Sequence, residues 1–183
     1  LLKRGSTGAR EYALWSLSLS INADSQSTVL GEGGIPPLIR LLHSDNVIGQ
    51  TQAAAALALL AFENSETQAA IAQAGGIEPL ISMVEEDVHD KQEAMDADEA
   101  SWEEAQEFAA ATLAELALLK QNRLNIVADG GITPLVMLVR TGRAVGKKYA
   151  ASALARLARE SDSTQAEIAN AGAVSSLVGL LSG

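Results

Sequence analysis

The chain has 183 residues, 48% of them hydrophobic but only six aromatic and none cysteine, which leaves apolar mass for a core and excludes disulfides and thiolate zinc sites. Its formal charge of -10 is local: residues 85–107 hold eleven of the 23 acids and one base, Lys91, so twelve acids and twelve bases balance elsewhere. No basic stripe remains for a nucleic-acid backbone, and the longest apolar run, Ala53 to Phe62, is about half of the ~20 residues a bilayer span needs.

In chain order, Leu1-Leu2 reads as the end of a helix, without an initiator Met or the apolar stretch of a signal peptide. The chain is therefore expected to be cut from a longer one. The absence of cysteine points to an intracellular setting, cytoplasmic or nuclear. An Ala/Leu-rich helix follows, with ALWSLS at 13–18. Polar residues and Val29 then lead into the cassette GGIPPLIRLL at 33–42. Glycine ends one helix there and proline opens the next. A polar loop precedes a longer helix with ALALLA at 56–61. The same order recurs: Asn64-Ser65-Glu66 and Ile71 before GGIEPLISMV at 75–84, with TLAELA at 112–117. Next come Ile126, GGITPLVMLV at 130–139 and ALARLA at 153–158, then Ile168 and GAVSSLVGLL at 172–181. The cassettes begin 42, 55 and 42 residues apart, the mark of stacked identical units. Leu pairs at i, i+3 recur and no segment alternates like a strand, so the chain is expected to be all-α.

The glycine turn, the Pro-Leu-(Ile/Val) that follows, the Ala-Leu-x-x-Leu-Ala string and the 42-residue spacing together resemble the armadillo repeat, over the whole chain. The resemblance implies a right-handed α-α superhelix, a solenoid of three-helix repeats. Residues 1–183 then form a single array with partial repeats at both ends and turns at 33–35, 75–77, 130–132 and 172–174. It also implies a non-enzymatic module that binds a protein partner, a peptide or a helix, along a concave face formed by the third helices.

Armadillo proteins such as importin-α and β-catenin place Asn at a fixed point of the third helix, and importin-α adds a Trp ladder. Here the Trp-type positions hold Tyr12, Ala55, Ala111 and Ser152, and the Asn-type positions Ser16, Leu59, Glu115 and Arg156. Both ladders are absent, which argues against a nuclear-transport-type peptide receptor, since the amide that would clamp a peptide backbone is missing. One turn before the Trp-type position stand Gln52, Phe108 and Tyr149. The two aromatics read either as anchors for a docked helix or bulky side chain, or as half-buried packing between adjacent third helices. The expected partner-binding face is Tyr12, Ser16, Gln52, Leu59, Phe108, Glu115, Tyr149 and Arg156.

The long interval coincides with the acidic segment 85–107, an insertion of about fourteen residues between the second and third helices of one repeat, with one residue lost before the next turn. From Lys91 its residues favour helix, so the third helix is expected to start early, with Met95, Trp102, Gln106 and Ala109 along one face. Its acids include Glu85, Glu86, Asp87, Asp90, Asp96, Asp98, Glu99, Glu103 and Glu104. Three readings stand: a solvated loop; docking on the basic loop of the next repeat, Arg140, Arg143, Lys147 and Lys148; or a site for a basic peptide with Trp102 as apolar anchor.

DADEASWEEAQE at 96–107 puts acids at positions 1, 3, 9 and 12 of a calcium loop, but Ala100 and Ser101 fill positions 5 and 6, where a ligand and a turning Gly belong. His43 and His89 are isolated, so no metal site is expected. No nucleophile with a neighbouring base and no phosphate-binding loop is present, so no catalytic residue and no cofactor is expected either. The QAAIAQAGGIEPLI phrasing looks like the arrays of plant U-box ubiquitin ligases and of vacuole-associated adaptors. A substrate-targeting module of a larger enzyme is thus the alternative to a free-standing adaptor.

Overall fold

The computed structural model describes residues 23–85 and 99–180, and every regular element among them is an α-helix. The first unit comprises α1 (Ala23–Gly31), α2 (Ile35–Leu42) and α3 (Val47–Ala61). The second comprises α4 (Ser65–Gln73), α5 (Ile77–Glu85) and α6 (Glu99–Leu116), and the third α7 (Lys120–Ala128), α8 (Ile132–Thr141) and α9 (Ala144–Leu157). A further pair, α10 (Asp162–Asn170) and α11 (Ala173–Leu180), follows.

The turn between first and second helices explains why a glycine pair recurs. Gly33, Gly75, Gly130 and Gly172 have φ between 65° and 85°, the left-handed region in which a Cβ is penalised. In the first three turns the following glycine donates its N–H to the carbonyl five residues back, as Gly76 does to Ile71 at 3.0 Å, while Gly75 bonds Ala72. This is the Schellman closure of a helix end. The second glycine is required by contact: a Cβ on Gly76 would stand 2.8 Å from Ile71 Cγ2 and 3.0 Å from its carbonyl oxygen. The β-branched residue before each of these three turns, Val29, Ile71 or Ile126, is thereby seated against a bare backbone.

Side-chain caps start α3, α4 and α10. Asn46 accepts from the N–H groups of Ile48 and Gly49, Asn64 from Thr67, and Ser161 from Thr164. Glu63 and Glu160, just before two of these caps, take φ of 51° and 61°. The second unit has no such residue. Ala61 is seven residues before Gln68 and Ala158 seven before Gln165, but Ala117 is only six before Arg123. The residue lost there is the left-handed one.

The core repeats with the sequence. Leu57, Leu113 and Leu154 are buried at one register of the third helices, Leu60, Leu116 and Leu157 at another, and Leu38, Leu80 and Leu135 on the second helices. Between neighbouring units the third helices pack most extensively, and Ala53, Ala54, Ala56, Ala109 and Ala110 are fully buried in the shared core. Small side chains permit this close approach. Thr112 Oγ1 adds a bond to the Ala54 carbonyl at 3.1 Å.

A second tie runs along the opposite ends of these helices. Gln68 of α4 donates to the Ala61 carbonyl at the end of α3, Gln165 of α10 to Ala158 at the end of α9. Arg123 of α7, at the same position, donates to both Ala117 and Leu118 at the end of α6 and pairs with Glu160 at 3.2 Å. The first helices α4, α7 and α10 thus satisfy carbonyls that the preceding third helix leaves open.

Candidate functional site

Third helices of similar length, stacked side by side, bring the same register position of each unit into one row. Leu59, Glu115 and Arg156 form that row, and Gln52, Phe108 and Tyr149 form another two turns nearer the helix N-termini. Tyr12 and Ser16, expected on the same face, lie outside the described residues, as does Trp15.

In the first row Leu59 remains 40% exposed although it sits on a helix whose neighbouring leucines are fully buried. Arg156 reaches across from α9 to α6, where its guanidinium meets Glu115 Oε1 at 3.0 Å and also donates to the Ala114 carbonyl. The two side chains are partly shielded, 26% and 16% exposed, so the pair is less screened than a fully solvated one. Phe62, one turn beyond Leu59, is 55% exposed and Leu118, its equivalent after α6, is exposed as well. The row therefore offers an apolar end at Leu59 and Phe62 and a fixed charge pair at Glu115 and Arg156.

In the second row Phe108 and Tyr149 are half-buried and lie against the core. Lys148 Nζ stands 5.3 Å from the centre of the Tyr149 ring. Gln52 is half-buried, and its Oε1 is shielded from solvent and accepts no hydrogen bond. Nothing in its residue type signals this.

Around the insertion, residues 86–98 lie outside the described residues, and with them Glu86, Asp87, Asp90, Asp96, Asp98, Met95 and His89. The described part changes one expectation. Trp102 is only 3% exposed and belongs to the core, so it does not project from the surface as an exposed anchor. The reason is helical register. Trp102 occupies the position that is Asn46 in the first unit and Arg143 in the third, both of them N-caps, but α6 has already started at Glu99. The extra turn needs apolar cover, and the indole supplies it. Ala109, on the same face, is fully buried, and Gln106 donates to the Val84 carbonyl.

Two of the acids beyond Trp102, Glu103 and Glu107, reach the next unit. Glu103 pairs with Arg143 at 3.5 Å, linking α6 to the loop before α9. Glu107, half-buried, has its carboxyl pushed above the ordinary range by burial, an effect opposed by the Arg143 guanidinium and by a hydrogen bond from the Gly146 N–H. Glu85 and Glu104 are exposed, and so are Arg140 and Lys148, while Lys147 is half-buried. Arg140 lies along its own helix, with a guanidinium nitrogen 3.0 Å from Met137 Sδ. Residues 99–107 of the calcium-loop pattern are helical, and among the described residues no three His, Asp or Glu side chains gather to hold a metal ion. No helix among them is long and apolar enough to cross a membrane.

Residues 22–62, which contain the first complete three-helix unit, match the model of the armadillo/beta-catenin-like repeat. The structure is similar to that of an engineered protein with 32% sequence identity, over 99% of this chain and 69% of the other, at a TM-score of 0.83. It is also similar to computationally designed armadillo repeat proteins for modular peptide recognition, with 25% identity over 98% of this chain and 71% of the other, at 0.82. A designed armadillo repeat protein in complex with a (KR)4 peptide shares the fold at 23% identity, over 98% and 71% of the two chains, at 0.80. No curated protein matches the chain.

Proposed function

The chain belongs to the armadillo-repeat family, and on that premise we propose that it is a non-enzymatic scaffold that binds a protein partner, an extended peptide or a helix, along the face lined by α3, α6 and α9. The observation that carries this reading is the open row Leu59, Glu115 and Arg156, one residue from each of three successive third helices. Stacked units give a long ordered surface, and the extensive packing between third helices supports their lying on the inner side of the curve. The relatives with known ligands include a designed array in complex with a (KR)4 peptide.

The chemistry of the row departs from an amide ladder. Leu59 and Phe62 suit an apolar side chain of the partner, the Glu115–Arg156 pair suits a group that can both donate and accept, and Gln52 Oε1 awaits a donor such as a peptide N–H. Selection of peptides from a displayed random library on the wild-type chain provides ligands to test this. Leu59→Asp combined with Arg156→Glu is expected to weaken the selected peptides by about ten-fold or more, and Phe108→Ala with Tyr149→Ala by less. Peptides that bind the Leu59→Asp, Arg156→Glu chain with unchanged affinity would place recognition elsewhere.

A further inference from the structure

A second concavity lies away from this row. Between the α2–α3 corner of the first unit and helices α5 and α6 of the second is a cavity of about 220 Å³. Its floor is made by Leu42, Gln50, Met83 and Trp102, all buried, and its rim by the exposed side chains of His43, Asp45 and Glu78, two of them carboxylates. Gln50 and Gln52 stand about 200° apart around α3, so this cavity opens on a different side of the helix from the row of Gln52.

Gln50 is only 7% exposed. Its amide nitrogen donates to the Leu42 carbonyl at 3.1 Å, which fixes the group and leaves Oε1 on its other side, buried and accepting nothing. A buried acceptor without a donor is costly, and such groups in folded proteins call for an explanation. The group that would complete it must donate a hydrogen bond, tolerate the thioether and indole of the walls, and be drawn in by two carboxylates. A guanidinium on an aliphatic stem has all three properties: several donors in one plane, weak hydration and affinity for aromatic faces. A lysine ammonium is more strongly hydrated and loses more on entering such a site.

We propose that this cavity is a receptor site for an arginine side chain of a protein partner, with Gln50 Oε1 as the internal acceptor and Asp45 and Glu78 as the charged rim. It adds a contact at the edge between the first and second units, separate from the third-helix row.

The test is an NMR titration of the isotopically labelled chain with the peptide acetyl-Gly-Arg-Gly-amide. Saturable shifts are expected at the Trp102 indole N–H and the Gln50 side-chain amide. The same peptide with citrulline, which keeps the shape and removes the charge, should bind about ten-fold more weakly, as should the arginine peptide on the Asp45→Asn, Glu78→Gln chain. Those two rim residues are exposed, so the variant retains its core. Gln50→Leu should abolish the shift at Trp102 while the chain still melts cooperatively. The proposal is overturned if Trp102 and Gln50 show no saturable shift, if citrulline binds as well as arginine, or if the rim variant binds unchanged. Leu59→Asp with Arg156→Glu should leave the titration as it is, so the cavity and the third-helix row stand or fall separately.

Discussion

The second unit, α4 to α6, shares its core with the units on either side and differs from them in its connections. Leu80, Leu113 and Leu116 are as buried as Leu38, Leu57 and Leu60 in the first unit. Yet its third helix starts a turn early, 13 residues separate that helix from α5 where 4 and 2 separate the equivalent helices of the first and third units, and the left-handed residue before the next unit is missing. A stacked array tolerates change where the chain passes between layers and resists it where layers meet. Loop closure becomes only slowly more costly with length, whereas a core of fixed spacing cannot absorb one methylene without strain.

The largest test of this contrast is a matched pair of core truncations. Leu57→Ala and Leu113→Ala each remove a fully buried side chain at the same register and should each cost about 2–5 kcal/mol in chemical denaturation. A much smaller loss at Leu113 would mean that the insertion has loosened the second unit. Smaller in effect, Gly33→Ala and Gly75→Ala place a Cβ on residues with φ of 65° and 80°, and about 1–2 kcal/mol is expected for each. Unequal losses would show that the turns, though alike in hydrogen bonding, differ in how far they relax.

The smallest effect concerns Glu107, at the seam between the second and third units. Because burial raises its pKa in the folded chain, the folded state holds the proton more tightly than the unfolded one. Its contribution to stability is therefore greatest below the unfolded value of about 4.3 and is lost as pH rises through the folded value. Glu107→Gln should melt slightly higher than wild type at pH 7, and this advantage should vanish near pH 4. An advantage that persists at low pH would assign the effect to packing instead of ionisation.

Much of the fold was legible because its signals are local. The Gly-Gly turns, the prolines after them and the Ala/Leu strings declare helix ends and helix faces within a few residues, and the spacing of the turns located both the insertion and the loss of one residue. The row of Leu59, Glu115 and Arg156 followed by counting. The burial of Trp102 did not, because it depends on where α6 begins, and a one-turn change there decides whether an indole faces solvent or core. The Glu115–Arg156 pair, the solitary oxygens of Gln50 and Gln52, and the reach of Arg123 were likewise hidden. Each depends on the direction in which one side chain leaves its helix, and residue type does not encode that.

The ties between each first helix and the preceding third helix also set how the array comes apart. In a linear stack, opening spreads from unit to unit, and the strength of each junction decides where it halts. Gln68 and Gln165 each bind one carbonyl there, whereas Arg123 binds two through a permanently charged group that the carboxylate of Glu160, in the loop after α9, holds in place. At the seam between the second and third units a single arginine thus doubles the bonds that a glutamine supplies at the other junctions, and an unzipping front arriving from either end meets there a step that this one residue raises.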